Sequence, residues 1–432
     1  MLRDLRVVFQ MKSILLILAA SITLRLFIFF FVLPSSPSRF GPDEGTYASL
    51  AKFVSRGTSV TDFPAYGAGL YNSARSIILP SVLFIKIGIN ELDAVRITSS
   101  IYGTASILFF SLIVVAYYDI KFKSVLIIKE SFNRKTILLI GLFAFLPSNF
   151  IWSTIGLRES GSQFWLIASF YMLLKLSFSR GGKMWIYAPL SVLSVTLGYG
   201  TRPETALIFS TVALLSSLVF LIKYRNPVVV LVLVLGIILG HKFTSTPNLD
   251  VAGNADVAGN ADVAGNADVA RLLKQQLSKV ELLEYKRNVN ALDAESALPK
   301  SSCLKSNMEL LQVMKCNAVE LPYRVFAFLF RPLLFFDQGS LTMTLAAFEN
   351  IVWSLLILSG FFKVFRRSKS YFDNYLNCSL VGFMLMFTLA AALYEGNLGT
   401  AFRHKSSILW SLMMILVASD LSKPPKNKKS FL

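Results

Sequence analysis

The chain has 432 residues, of which 54% are hydrophobic, 13% aromatic and only 16% charged, with a mean hydropathy of +0.59. These values exclude an ordinary soluble domain and fit a polytopic, all-α membrane protein. The formal net charge of +18 would point to nucleic acid in a soluble chain, but membrane proteins collect Lys and Arg in cytoplasmic loops, so the positions of the basic residues decide.

The first apolar run, "ILLILAASITLRLFIFFFVLP", is too long and continuous for a secretory signal and has no small-residue cleavage site. It reads as a retained span over 12–33. The loop that follows, 34–94, opens with "GPDEGTY", placing Asp43 and Glu44 side by side. Acids at a helix start are favoured by the macrodipole, so "PDEGTYASLAKF" is also an ordinary helix N-terminus. Residues 71–88, "YNSARSIILPSVLFIKIG", are apolar but interrupted by Arg75, Pro80 and Lys86, which fits a helix lying at the interface.

A hydrocarbon core of about 30 Å takes roughly 20 apolar residues per helix. By that measure about ten spans are expected, the others near 95–118, 136–154, 161–178, 185–199, 204–222, 227–243, 341–362, 374–393 and 405–420. The chain then divides into a membrane module (1–244), an insertion (245–340) and a second membrane module (341–432). The insertion holds a six-residue repeat, "DVAGNADVAGNADVAGNADVA", over 250–270. Too few copies exist for a solenoid, so it reads as a linker. Leu272, Leu273, Leu277, Val280 and Leu283 follow at helical spacing, predicting an amphipathic helix. Cys303 and Cys316 share this segment; sequence does not decide whether they form a disulfide.

With a cytoplasmic N-terminus, the inside segments contain "KFKSVLIIKESFNRK", "SRGGK", "KYR", "KVFRRSK" and "KPPKNKK", and all carry a basic excess. Both termini are therefore expected inside. The outside segments bring charged residues to the membrane boundary on one face: Asp43 and Glu44, Arg158 and Glu159, Arg202 and Glu204, and finally Glu395, Arg403 and His404. Ionisable groups at membrane depth are costly and tend to be paired, buried in the bundle or facing a wet cavity. Four such turns on one side point to a shared polar site.

The order of these motifs resembles the GT-C superfamily of membrane glycosyltransferases, and within it the family-39-like enzymes, protein O-mannosyltransferases and lipid A aminoarabinose transferases. "GPDEGTY" is similar to the family's loop motif and residues 71–88 to its interfacial helix. "GLRESGSQFW" resembles the hairpin tip carrying a Glu, "LGYGTRPE" an Arg-Pro-Glu turn, and "GNLGTAFRHKS" the Arg-containing start of a late span. The resemblance implies a GT-C-like bundle in a bacterial inner membrane, with its site on the extracytoplasmic face. The reaction it implies is transfer of a sugar from a polyprenyl-phosphate donor to a glycan, lipid or protein acceptor of the cell envelope.

Attack by an acceptor hydroxyl needs a base, and Asp43 is the expected one, with Glu44 sharing the role or fixing the helix start and Glu159 nearby. The lipid phosphate leaving group needs cations, for which Arg403, His404 and Arg202 are the candidates, supported by Arg158, Glu204 and Arg331. Arg202 and Glu204 are equally an internal pair pinning their turn. Lys405 reads as an interfacial anchor. A divalent cation, Mg2+ or Mn2+, could bridge Asp43 and Glu159, and metal dependence stays open. Two alternatives remain: a polysaccharide polymerase or ligase with a lipid-diphosphate donor, and a lipid or sugar transporter.

Overall fold

The computed structural model describes residues 1–33, 42–60, 67–122, 132, 134–219, 226–244, 310–334, 336–337, 341–366, 375–395 and 398–421. The hexapeptide repeat, the expected amphipathic helix after it and Cys303 lie outside these residues. Among the described residues there are helices and no strands. Five of the helices are long and apolar enough to cross a membrane: Lys12–Val32, Glu91–Ile120, Pro227–Thr244, Met343–Arg366 and Tyr375–Leu393. The protein is thus an all-α membrane protein, and its chain divides into two compact units.

The first unit comprises Met1–Ser245, Leu355–Leu385 and Ser406–Leu432. It begins with α1 (Leu2–Gln10) and α2 (Lys12–Phe27), which a π-helical turn, Ile28–Val32, extends. Then come α3 (Pro42–Ser55), α4 (Gly67–Lys86), α5 (Glu91–Phe122), α6 (Arg134–Phe145), α7 (Arg158–Phe178), α8 (Gly182–Tyr199), α9 (Pro203–Val219) and α10 (Pro227–Thr244). Helix α5 packs along α7, α7 along α8, and α8 along α10. The expected span 136–154 is broken. Pro147 has no N–H to donate and forces Leu146 to extended ψ of 128°, so α6 stops at Phe145 and a single turn, Pro147–Phe150, follows.

The unit's core lies where α7 and α9 meet the segments that return late in the chain. The Trp410 ring sits 5.4 Å from Phe170, 6.1 Å from Phe209 and 5.9 Å from Phe383. Lipid is as apolar as these rings, so their cohesion comes from packing rather than expulsion of water, with about 0.5–1.5 kcal/mol per aromatic pair. Helix α2 is the opposite case: only 22% of its apolar window is buried, against 67% for α5. At the end away from α3, the buried Asp4 of α1 accepts hydrogen bonds from Tyr171 Oη at 2.7 Å and Lys175 Nζ at 3.0 Å, and Arg3 pairs with Asp119 at 2.9 Å.

Helix α4 lies across the ends of other helices. Ser76 donates through its N–H to Gly200 O at 2.8 Å and through Oγ to Leu197 O at 2.7 Å, while Tyr102 Oη of α5 donates to Ser76 O at 2.5 Å. Arg75 bonds the Phe243 carbonyl near the end of α10. A side chain at position 200 would strike Ser76 Oγ and the Phe243 ring, so the glycine there permits this crossing. Three carbonyls at the C-terminal ends of α8 and α10, those of Leu197, Gly200 and Phe243, are thereby satisfied by α4.

The second unit comprises Thr246–Ser354 and Met386–Lys405. It contains α11 (Leu310–Phe330), the start of α12 (Leu341–Arg366), the end of α13 (Tyr375–Tyr394) and the first turns of α14 (Leu398–Leu421). Helix α11 falls inside the segment expected as an insertion. Cys316, on α11, is disulfide-bonded, and Cys378 is not.

Candidate functional site

The end of the first unit that carries α3 gathers most of the charges singled out in the sequence. Pro42 starts α3, a position where its missing N–H costs nothing, and Asp43 and Glu44 occupy the first turn. The two acids have different fates. Asp43 is exposed, whereas Glu44 is 3% exposed. Arg96 of α5 grips the Glu44 carboxylate with two bonds, Nε to Oε1 at 2.5 Å and Nη2 to Oε2 at 3.2 Å. This forked geometry is the strong form of the Arg–carboxylate contact. Gly156, at φ +74°, closes over the pair; a Cβ there would meet Glu44 Oε1 and Val95 Cγ1, each at 3.1 Å. Burial pushes the Glu44 carboxyl above its ordinary value, against the opposing pull of Arg96.

A second buried pair stands at the neighbouring turns. Glu159, in the first turn of α7, accepts from Arg202 Nη2 at 2.7 Å. Arg202 therefore pins the turn before α9 through Glu159, not through Glu204, which is exposed. Arg158 is half-buried and donates from Nη1 to Ser73 Oγ of α4 at 3.0 Å. Tyr47, one turn along α3 from Asp43, has a buried hydroxyl pushed up to about 12, first by burial, and it feels the charges of Arg158, Glu159, Asp43 and Arg202.

The remaining candidates belong to the second unit. Arg331, just past α11, donates from Nε to Asp337 Oδ2 at 3.0 Å and bonds Oδ1 through Nη2. Asp337 also accepts the Leu333 N–H at 2.7 Å. Burial alone would raise the Asp337 carboxyl, but Arg331 and that N–H outweigh it and hold the group below its ordinary value. His404 Nδ1 bonds Glu395, whose other oxygen accepts from Thr400 Oγ1 at 2.9 Å, and Arg403 is half-buried beside them in the chain.

Lys405 corrects the expectation of an interfacial anchor: it is fully buried. Its ammonium donates to Leu329 O at 3.1 Å, Arg331 O at 2.6 Å and Asn350 Oδ1 at 2.7 Å. It thus satisfies carbonyls at the C-terminus of α11, where a cation is also favoured by the helix dipole. Asn350 completes the knot by donating to Pro332 O at 3.2 Å.

Arg96, Tyr47, Ser73 and Asp337 were not singled out from sequence. The signal for Arg96 is present in "ELDAVRIT": a basic residue one turn inside an apolar span has to find a partner. Among the described residues no three His, Cys, Asp or Glu side chains group as metal donors, and Glu159 Oε1 is taken by Arg202. Compared with known protein families the chain matches none, and no curated protein matches it.

Proposed function

We propose that this chain is a GT-C-type membrane glycosyltransferase of about ten spans. It moves a sugar from a polyprenyl-phosphate donor to a cell-envelope acceptor at the extracytoplasmic face of a bacterial inner membrane. The sidedness rests on the basic bias of the opposite loops. The observation that carries the reading is the division between the two neighbouring acids: Glu44 is spent in a buried pair with Arg96, and Asp43 is exposed, with Tyr47 of the same helix feeling its charge together with those of Arg158, Glu159 and Arg202.

In this reading Asp43 accepts the acceptor's hydroxyl proton as that oxygen bonds the anomeric carbon. The bond from the anomeric carbon to the phosphate oxygen breaks with inversion, and its electron pair stays on the lipid phosphate. Arg158 offers that phosphate positive charge at the same end. Arg403 and His404, in the second unit, are assigned to the phosphate on the resemblance alone. Glu44, Arg96, Glu159 and Arg202 hold the turns that present these groups.

The test is transfer of label from a radiolabelled polyprenyl-phosphate sugar to an envelope extract, by purified wild type and Asp43→Asn. Transfer by wild type alone supports the reading. Equal transfer by both removes Asp43 as the base. Transfer by neither, with lipid binding intact, favours a lipid-diphosphate donor.

A further inference from the structure

The end of the first unit away from α3 holds a polar cavity of about 560 Å3. It lies between the last turn of α7, the turn at Ser179–Gly181 and the starts of α8 and α10. Its volume falls within the roughly 300–1,000 Å3 of small-molecule pockets. The length of α7, about 30 Å at 1.5 Å per residue, separates it from Glu159, so it takes no part in the chemistry read at the α3 end.

Three features decide what fits it. The first is charge. Arg180 lines the cavity and is exposed, and among the described residues no acid pairs with it. Asp4, at the same end, is taken by Lys175 and Tyr171, and Asp119 by Arg3. Lys183, also exposed, adds a second positive charge three residues on. A guanidinium without an acid presents a planar fork of N–H donors that matches phosphate oxygens. The second is a neutral donor. Asn226, on the facing wall, spends one long bond of 3.4 Å on Leu176 O, and its amide carries a second N–H.

The third feature is level. Helix α10 starts at Pro227 on the cavity wall and is one of the helices able to cross a membrane. Phe178, Met184 and Val228 make the apolar side of the cavity, and the exposed Trp185 follows directly. Aromatic side chains at a span's end mark the headgroup level. The cavity therefore opens where headgroups meet hydrocarbon. Basic pockets between spanning helices at that level suit anionic headgroups.

We infer that this cavity binds one anionic glycerophospholipid, its phosphate on Arg180 and Asn226 and its first acyl carbons along Phe178 and Val228. A zwitterionic headgroup brings an ammonium of its own, which Arg180 and Lys183 repel. A free phosphate makes no use of the apolar side. In the orientation proposed above the lipid belongs to the cytoplasmic leaflet. The inference needs no glycosyl transfer and stands apart from that reading.

The experiment titrates the full chain, in a neutral detergent, with phosphatidylglycerol or with phosphatidylcholine of the same acyl chains. Native mass spectrometry counts the lipids retained. One phosphatidylglycerol should be held at least about tenfold more tightly than phosphatidylcholine. Arg180→Gln should remove most of that preference, and so should Met184→Trp, which fills the cavity without changing charge. Arg134→Gln, which removes an exposed arginine at the start of α6, should leave it intact. Equal retention of the two lipids would overturn the inference. Equal losses in Arg134→Gln and Arg180→Gln would also overturn it, since the whole basic face would then be responsible. Full retention by Met184→Trp would put the lipid outside the cavity, and displacement by millimolar glycerol phosphate would make the occupant a soluble phosphate; either result removes the proposal.

Discussion

Two regions, the α3 end of the first unit and the surroundings of Lys405 in the second, hold their buried charge differently. At the α3 end of the first unit, each buried acid has its own arginine: Glu44 with Arg96 and Glu159 with Arg202. In the second unit, the buried Lys405 is solvated by two carbonyls and an amide instead. A pair is fragile in a particular sense, because removing either member strands the other charge in a low-dielectric site. When Lys405 goes, three dipoles lose their donor, and the buried Glu349 loses a cation at longer range. The α3 end should therefore respond more sharply to single substitutions than the Lys405 site, and respond least when both partners of a pair go together.

The strongest way to break this comparison is Arg96→Gln. It leaves Glu44 buried without its cation and should cost about 3–5 kcal/mol, read from denaturant or thermal unfolding in detergent. Glu44→Gln with Arg96→Gln should regain most of that loss. If the double variant is no better than the single one, the two residues are not an energetic unit. Lys405→Met comes next. It leaves the Leu329 and Arg331 carbonyls without their donor and should cost about 1–3 kcal/mol. A cost above that of Arg96→Gln would invert the ranking of the two designs.

Acidity sharpens the contrast, because two carboxyls shift in opposite directions. Glu44 titrates above its ordinary 4.5, raised by burial. Just above 4.5 the folded chain holds a proton that the unfolded chain has released, so stability rises as pH is lowered into that window. Asp337 titrates below its ordinary 3.8, and its contribution is complete above 3.8 and lost as pH falls through its folded value. In unfolding measured against pH, Glu44→Gln should abolish the gain on mild acidification. Asp337→Asn should differ from wild type at neutral pH and converge with it only as pH falls below 3.8 through the lowered folded value. The smallest effect on stability belongs to Asp43→Asn, within about 0.5 kcal/mol for an exposed group. In the transfer assay the same variant should lose at least about a hundredfold in rate.

Hydropathy was enough to read the class of the protein and the limits of α2, α10 and α13, because a span is a property of about 20 consecutive residues. It misplaced the element at 136–154, where one proline outweighs the apolar run around it, and it gave no hint of α11. At the site, sequence found Asp43, Glu44, Arg158, Glu159 and Arg202 as boundary charges. It could not tell that Glu44 faces Arg96 while Asp43 faces water, since that depends on how α3 is rotated over α5. Lys405 was misread for a related reason. A lysine at a helix start looks like an anchor until the carbonyls of a distant helix end are brought to it.

Helix α5 carries charge near both of its ends, Arg96 bound to Glu44 and Asp119 bound to Arg3. Those two residues are about 34 Å apart along the helix at 1.5 Å per residue, close to the thickness of a bilayer's hydrocarbon core of about 30 Å. The helix is thus a gauge fastened at both marks. A membrane several ångströms thinner or thicker makes it tilt, or pulls lipid against the fastened ends, at fractions of a kcal/mol per ångström. That load falls on the arginine that holds Glu44 beside Asp43, so bilayer thickness becomes a variable to which the α3 end is mechanically coupled.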